Sequence, residues 1–119
     1  MKRSEQIKEF IDFVEKCREL NEIARKGISE EEKRQQDLLH AIEFETSSRK
    51  RGPLDTKLHR CRNERRKYKD IFEETDEIVK FFGEKQNQKC LNDMRQLLGR
   101  LRKVENYHEK RTYIPRTKE

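Results

Sequence analysis

The side chains able to do chemistry here are three cysteines, three histidines, many carboxylates and one dense block of arginine and lysine. Thiol catalysis needs a partly exposed cysteine in electropositive surroundings with a base in reach. Cys17, Cys61 and Cys90 instead fall at apolar helical positions, where a small buried side chain is the expected reading. A zinc module needs ligands paired at short spacing. The cysteines are odd in number with no CxxC pair, and His40, His59 and His108 lie on three different segments. No GxxxxGK[ST] phosphate loop occurs among the four glycines. Carboxylates such as Glu73 and Glu77 share a helical face, a spacing that ordinarily marks solvated surface. No catalytic, metal or cofactor site is expected, and the cysteines read as reduced thiols.

The basic block is the strongest chemical feature. Residues 49–69 carry 10 basic and 2 acidic groups, a net +8 within a chain of net +6. Residues 1–48 carry 9 basic and 12 acidic groups, residues 70–84 carry 1 and 6, and residues 85–119 carry 10 and 4, so the excess comes from this block and the last third of the chain. Arg62, Arg66 and Lys69 share one helical face by steps of four and three, and Arg60 and Lys67 lie seven apart on an adjoining strip. Arg49, Lys50 and Arg51 precede them in the connecting segment. Guanidinium groups in such an arc could engage carboxylates or phosphates in pairs of hydrogen bonds. Three uses are open: pairing with acidic neighbours of the same fold, an acidic protein partner, or nucleic acid. Arg65, which falls in an apolar seam, is expected to be structural and to pair with Gln35 or Glu31. A second, weaker patch comprises Arg95, Arg102 and Lys103 with the basic end of the chain.

Helices must position these groups. With 30% hydrophobic residues, a mean hydropathy of −1.34 and only nine aromatics, little apolar material is present for a globular core. Ile7, Phe10, Val14, Cys17, Asn21, Ala24 and Ile28 nevertheless recur at alternating steps of three and four, a heptad seam. The same phase reaches Glu31, Gln35, Leu38 and Ile42, which predicts one long helix from a Ser4 cap, with a weak point at Gly27. Gly52 and Pro53 predict the main turn. Leu54, Leu58, Cys61, Arg65, Tyr68, Phe72, Thr75, Val79 and Phe82 form a second seam, with Gly83 as the left-handed stop. Cys90, Leu91, Met94, Leu97, Leu98, Leu101 and Val104 form a stripe wide enough to touch two neighbours.

The expected fold is all-α, an elongated helical hairpin or three-helix bundle with coiled-coil-like seams. Its expected organisation is one domain over residues 1–110, helices at about 4–46, 54–82 and 84–107, and an extended basic tail over 111–119. Narrow seams on long helices leave apolar edges uncovered, so a homodimer is expected. No run of consecutive apolar residues exceeds two, which predicts no membrane span and a soluble, cytoplasmic protein.

Four stretches resemble a group of small phage and prophage proteins of Gram-positive bacteria. They are Gln36-Asp-Leu-Leu-His-Ala-Ile-Glu-Phe44, Arg62-Asn-Glu-Arg-Arg-Lys-Tyr-Lys-Asp70, Leu97-Leu-Gly-Arg-Leu-Arg-Lys-Val-Glu105 and Arg111-Thr-Tyr-Ile-Pro-Arg116. The resemblance spans about Gln36 to Arg116 and carries no activity or residue role. What it implies is context: a bacterial host cell, and action by binding. The expectation is a non-enzymatic protein that occludes a host macromolecule, such as a nucleic-acid-handling or defence protein including CRISPR effectors. Direct binding of DNA or RNA by the arginine-rich helix is the alternative. The expected partner-binding residues are Arg49, Lys50, Arg51, Arg60, Arg62, Arg66, Lys67, Lys69, Arg95 and Arg102.

Overall fold

Steps of three and four between apolar side chains predict helices, and helices are what the chain forms. The structure, a computed structural model, describes residues 2–112. It is all-α: α1 (Arg3–Phe44), α2 (Ser48–Gly83) and α3 (Lys85–Lys110), with no strand among the described residues. None of these helices is long and apolar enough to cross a membrane. Of the expected tail, Arg111 is extended, with φ −66° and ψ 139°, and residues 113–119 lie outside the described part.

Three local expectations are corrected. Gly27 does not weaken α1; it lies buried inside an unbroken helix, where a Cβ would come within 2.7 Å of the Tyr68 ring. The glycine serves close approach, not termination. Second, α2 begins at Ser48, before the expected turn, and Pro53 lies inside it. Proline ordinarily clashes with the Cβ of its predecessor in the α conformation, but Gly52 has none. Near the helix start, the missing N–H also forfeits only one hydrogen bond. The connection is therefore residues 45–47, where the Lys50 and Arg51 N–H groups donate to the Ser47 carbonyl at 3.2 and 3.1 Å. Third, Gly83 has no left-handed φ; the break before α3 is made at Glu84, whose backbone is extended.

Contacts divide the chain into two compact units. In the first, the start of α1 up to Val14 packs with the segment from Phe82 onward. Ile11, Val14, Leu91 and Leu98 form its core, with Ile7, Phe82 and Met94 against them. The sequence pattern assigns Phe10 to this seam, but Ile11 occupies it. A four-residue step from Ile7 followed by a three-residue step to Val14 keeps the same mean period, so both choices fit in one dimension. Phe10 lies exposed, edge-on to Phe82 with ring centroids 6.0 Å apart. Ser4 is no cap: it is buried in the first turn, and its N–H donates to Glu105 Oε2 at 3.1 Å. Capping falls instead to Glu5, which reaches back to the Lys2 N–H at 3.2 Å. Lys2 also pairs with Glu109, so α3 runs antiparallel to the start of α1.

The second unit, Glu15–Phe81, is an antiparallel hairpin of the remainder of α1 with α2. Cys17, Asn21, Ala24, Gly27 and Glu31 are buried on α1, and Leu58, Cys61 and Thr75 on α2. The missing side chain of Gly27 makes room for the ring of Tyr68. Asn21 Nδ2 donates to Thr75 Oγ1 at 3.2 Å, and Thr75 Oγ1 donates to the Ile71 carbonyl at 2.7 Å. A polar layer thus crosses the seam with its hydrogen bonds met. Arg25 covers the Phe72 ring at 5.9 Å from its centroid.

Candidate functional site

Leu58, Cys61, Thr75 and the half-buried Arg65, Tyr68 and Phe72 bind one face of α2 to α1. That anchoring decides where the remaining cations point. Residues one position past the seam, Arg62, Arg66 and Lys69, project along one flank; Lys57, Arg60 and Lys67 follow the opposite flank. The single arc expected from the sequence is therefore two strips separated by the seam.

The first strip opens on a cleft of about 660 Å³ lined by Arg62, Arg65, Arg66 and Lys69 of α2, with Gln35 of α1 opposite. His59 and Asn63 also reach it, 3.3 Å apart through Asn63 Nδ2 and His59 Nε2, and Asp70 and Glu73 close its far end. Arg65 is half-buried and donates through both Nε and Nη2 to Glu32 Oε1, at 3.3 and 3.0 Å. It is structural, as expected, but its partner is Glu32 and not Gln35 or Glu31. Glu31 is turned into the seam, where its side chain accepts from Arg34 and its backbone carbonyl accepts from the Cys61 thiol at 3.2 Å. Burial, and secondarily the Glu31 carboxylate, push the Cys61 thiol up. Cys61 is thereby kept a neutral thiol, whereas Cys90, read from the sequence as a seam residue, is exposed.

On the second strip, Lys57 and Arg60 border a smaller cleft of about 310 Å³ with Glu31, Arg34, Cys61 and Glu64. Lys67 is engaged by Glu64 at 3.2 Å, in the i,i+3 relation. Arg49, Lys50 and Arg51, expected in a turn, occupy the first turn of α2 and are exposed.

Among the described residues, Arg49, Lys50, Arg51, Arg60, Arg62, Arg66 and Lys69 have no carboxylate within 4.0 Å. All seven are exposed. Comparison with protein-family models, with curated proteins and with solved structures found no match.

Arg95 and Arg102 belong to the other unit. Arg95 donates to Asn92 Oδ1 at 2.7 Å, and Arg102 borders a cleft of about 500 Å³ with Lys2, Ser4, Lys8 and Glu105. There its charge acts on Glu105, whose carboxyl is held below its ordinary range chiefly by the hydrogen bond from Ser4. Both are exposed. The sequence points to Gln35 only as an acceptor for Arg65 and to His59 only among the histidines, and Asn63 is not singled out; the i,i+4 spacing of His59 and Asn63 beside Arg62 and Arg66 is the signal that marks these two. Among the described residues no group of three or more His, Cys, Asp or Glu is arranged to hold a metal ion.

Proposed function

We propose that this chain is a non-enzymatic interaction protein that covers an acidic surface of a host macromolecule with the Arg62, Arg66 and Lys69 face of α2. The carrying observation is that these three exposed cations, together with Arg60, stand without carboxylate partners although acidic residues are abundant in the chain. A solvated cation contributes little to folding, and like charges at i,i+4 slightly oppose the helix. Keeping Arg62 and Arg66 together therefore favours a partner over a structural role. The phage-protein resemblance extends this to occlusion of a nucleic-acid-handling or defence protein in a bacterial host.

A specific feature favours the nucleic-acid alternative as well. The first turn of α2 carries Arg49, Lys50 and Arg51 and no acidic residue. Cations at a helix N-terminus oppose the macrodipole, typically at about 0.3–1 kcal/mol each, whereas an anion is attracted there. Phosphate is the natural counterpart of such a turn.

The experiment is capture from expressing cells with the wild-type chain and with Arg62→Glu/Arg66→Glu, each with and without nuclease. Loss of a nuclease-resistant partner, with far-UV circular dichroism unchanged, is the expected result. A partner that vanishes on nuclease treatment transfers the reading to nucleic acid. Capture that ignores the double reversal sinks both.

A further inference from the structure

The exposed side of α3 carries a second heptad seam that nothing in its own unit covers. Leu91, Met94, Leu98 and Leu101 face the start of α1 or lie half-buried beside it. One step round the helix, Cys90, Asp93, Leu97, Arg100, Val104 and Tyr107 follow one another at steps of three, four, three, four and three. All six are exposed, with Leu97 at 41%, Val104 at 49% and Tyr107 at 66%. Among the described residues, Asp93 and Arg100 have neither an ion pair nor a hydrogen bond to a side chain. They are seven residues apart, about 10 Å along the axis, too far to pair with each other.

We infer that this face is an interface with a second copy of the chain, formed by antiparallel pairing of α3 about a two-fold axis at Leu97. The pattern is self-complementary under that operation and under no in-register parallel one. Antiparallel pairing sets Leu97 against Leu97 of the second copy, Cys90 against Val104 of the second copy, and Asp93 beside Arg100 of the second copy, twice by symmetry. Parallel pairing would stack Asp93 on Asp93 and Arg100 on Arg100, which repels. Asp93 and Arg100, two charges of this face without an ion pair among the described residues, therefore become each other's partners only when two copies meet antiparallel.

The contact is small. Cys90 to Tyr107 covers about 26 Å of one helix face, less than the roughly 800 Å² per partner of a standard interface. Association is accordingly expected in the micromolar range, and the measurement has to span it.

Sedimentation equilibrium of the whole chain, over about 1–500 µM, is the test. The wild type is expected to pass from monomer to dimer. Arg100→Asp should raise the dimer dissociation constant about tenfold or more, since two attractive pairs become two repulsive ones. Asp93→Arg/Arg100→Asp, which exchanges the charges, should recover most of that loss. Both changes are on exposed positions, so helicity is expected to be retained, and Leu97→Asp should leave a monomer. A wild type that stays monomeric throughout, a dimer indifferent to Leu97→Asp, or a double exchange no better than Arg100→Asp alone would each overturn the inference.

Discussion

Glu105 shows how much one side chain can do in a chain with so small a core. Its carboxylate accepts the N–H of Ser4, one of the donors that the first turn of α1 cannot satisfy internally. Ser4 is the main reason its folded-state pKa lies below the ordinary value, through its side chain first and its N–H after that, with Lys2 and Arg102 adding to it. A lowered folded-state pKa means stability that is present above the ordinary carboxylate range and lost as pH falls through the lowered value. Glu105→Gln should therefore melt at a lower temperature than the wild type at neutral pH, and the gap should close as the buffer is taken below about pH 4. Thermal melts of both proteins across that range check this; a gap independent of pH would show that the contact does not depend on charge. Nothing in the sequence marks Glu105, because its role depends on a residue about a hundred positions away. Arg65 was more legible: an arginine in an apolar seam demands an acceptor. Which acceptor depended on Glu31 turning inward and Glu32 outward, a rotation of one residue.

At the scale of elements, period was legible and punctuation was not. The α2 seam from Leu54 to Phe82 is buried or half-buried at every predicted position, because alternating threes and fours admit only one face. Glycine is ambiguous in one dimension: the same residue ends a helix or lets a neighbour approach. At Gly27 the neighbour decides it, since the Tyr68 ring covers the position where a Cβ would stand. Gly27→Ala should gain about 1 kcal/mol of helix propensity and lose about 1–3 kcal/mol to overpacking against the ring. A net destabilisation near 1 kcal/mol is expected from denaturant titration. Truncating the ring removes the collision, so Gly27→Ala should be stabilising, or neutral, in a Tyr68→Ala background, a coupling that a double-mutant cycle reads directly. Equal effects in both backgrounds would mean that α1 and α2 shift apart freely at this point. The stripe on α3 divides into two parts in a way its period does not show. Its spacing gives one broad face, and burial separates Leu91 and Leu98 from Cys90, Leu97 and Val104 within it.

For the whole molecule, the distribution of charge matters more than its total. The sequence showed where the cations are, but the two strips on α2 became visible only once the seam set the rotation of the helix. The same helix then changes sign, with residues 70–83 carrying 5 acidic groups and 1 basic. The centres of the basic and acidic stretches are about 18 residues, or roughly 27 Å, apart along the axis. The Debye length is about 10 Å at 0.1 M salt, so only the adjoining ends of the two regions, where Asp70 and Glu73 share the cleft with Arg66 and Lys69, act on one another strongly. Arg62, Arg66 and Lys69, by contrast, fall within about 10 Å of axis and act on an approaching anion together. If the partner is an acidic protein surface, its association rate should fall steeply as salt rises from about 0.05 to 0.5 M while dissociation changes little. Arg62→Gln/Arg66→Gln should flatten that dependence. If the partner is duplex nucleic acid, the equilibrium constant itself carries the signature, and the same double neutralisation should reduce the slope of log affinity against log salt by about 1.8. Binding kinetics of the wild type and the double variant over a salt series separate the two, and a salt-independent association rate would remove the cationic face from recognition altogether.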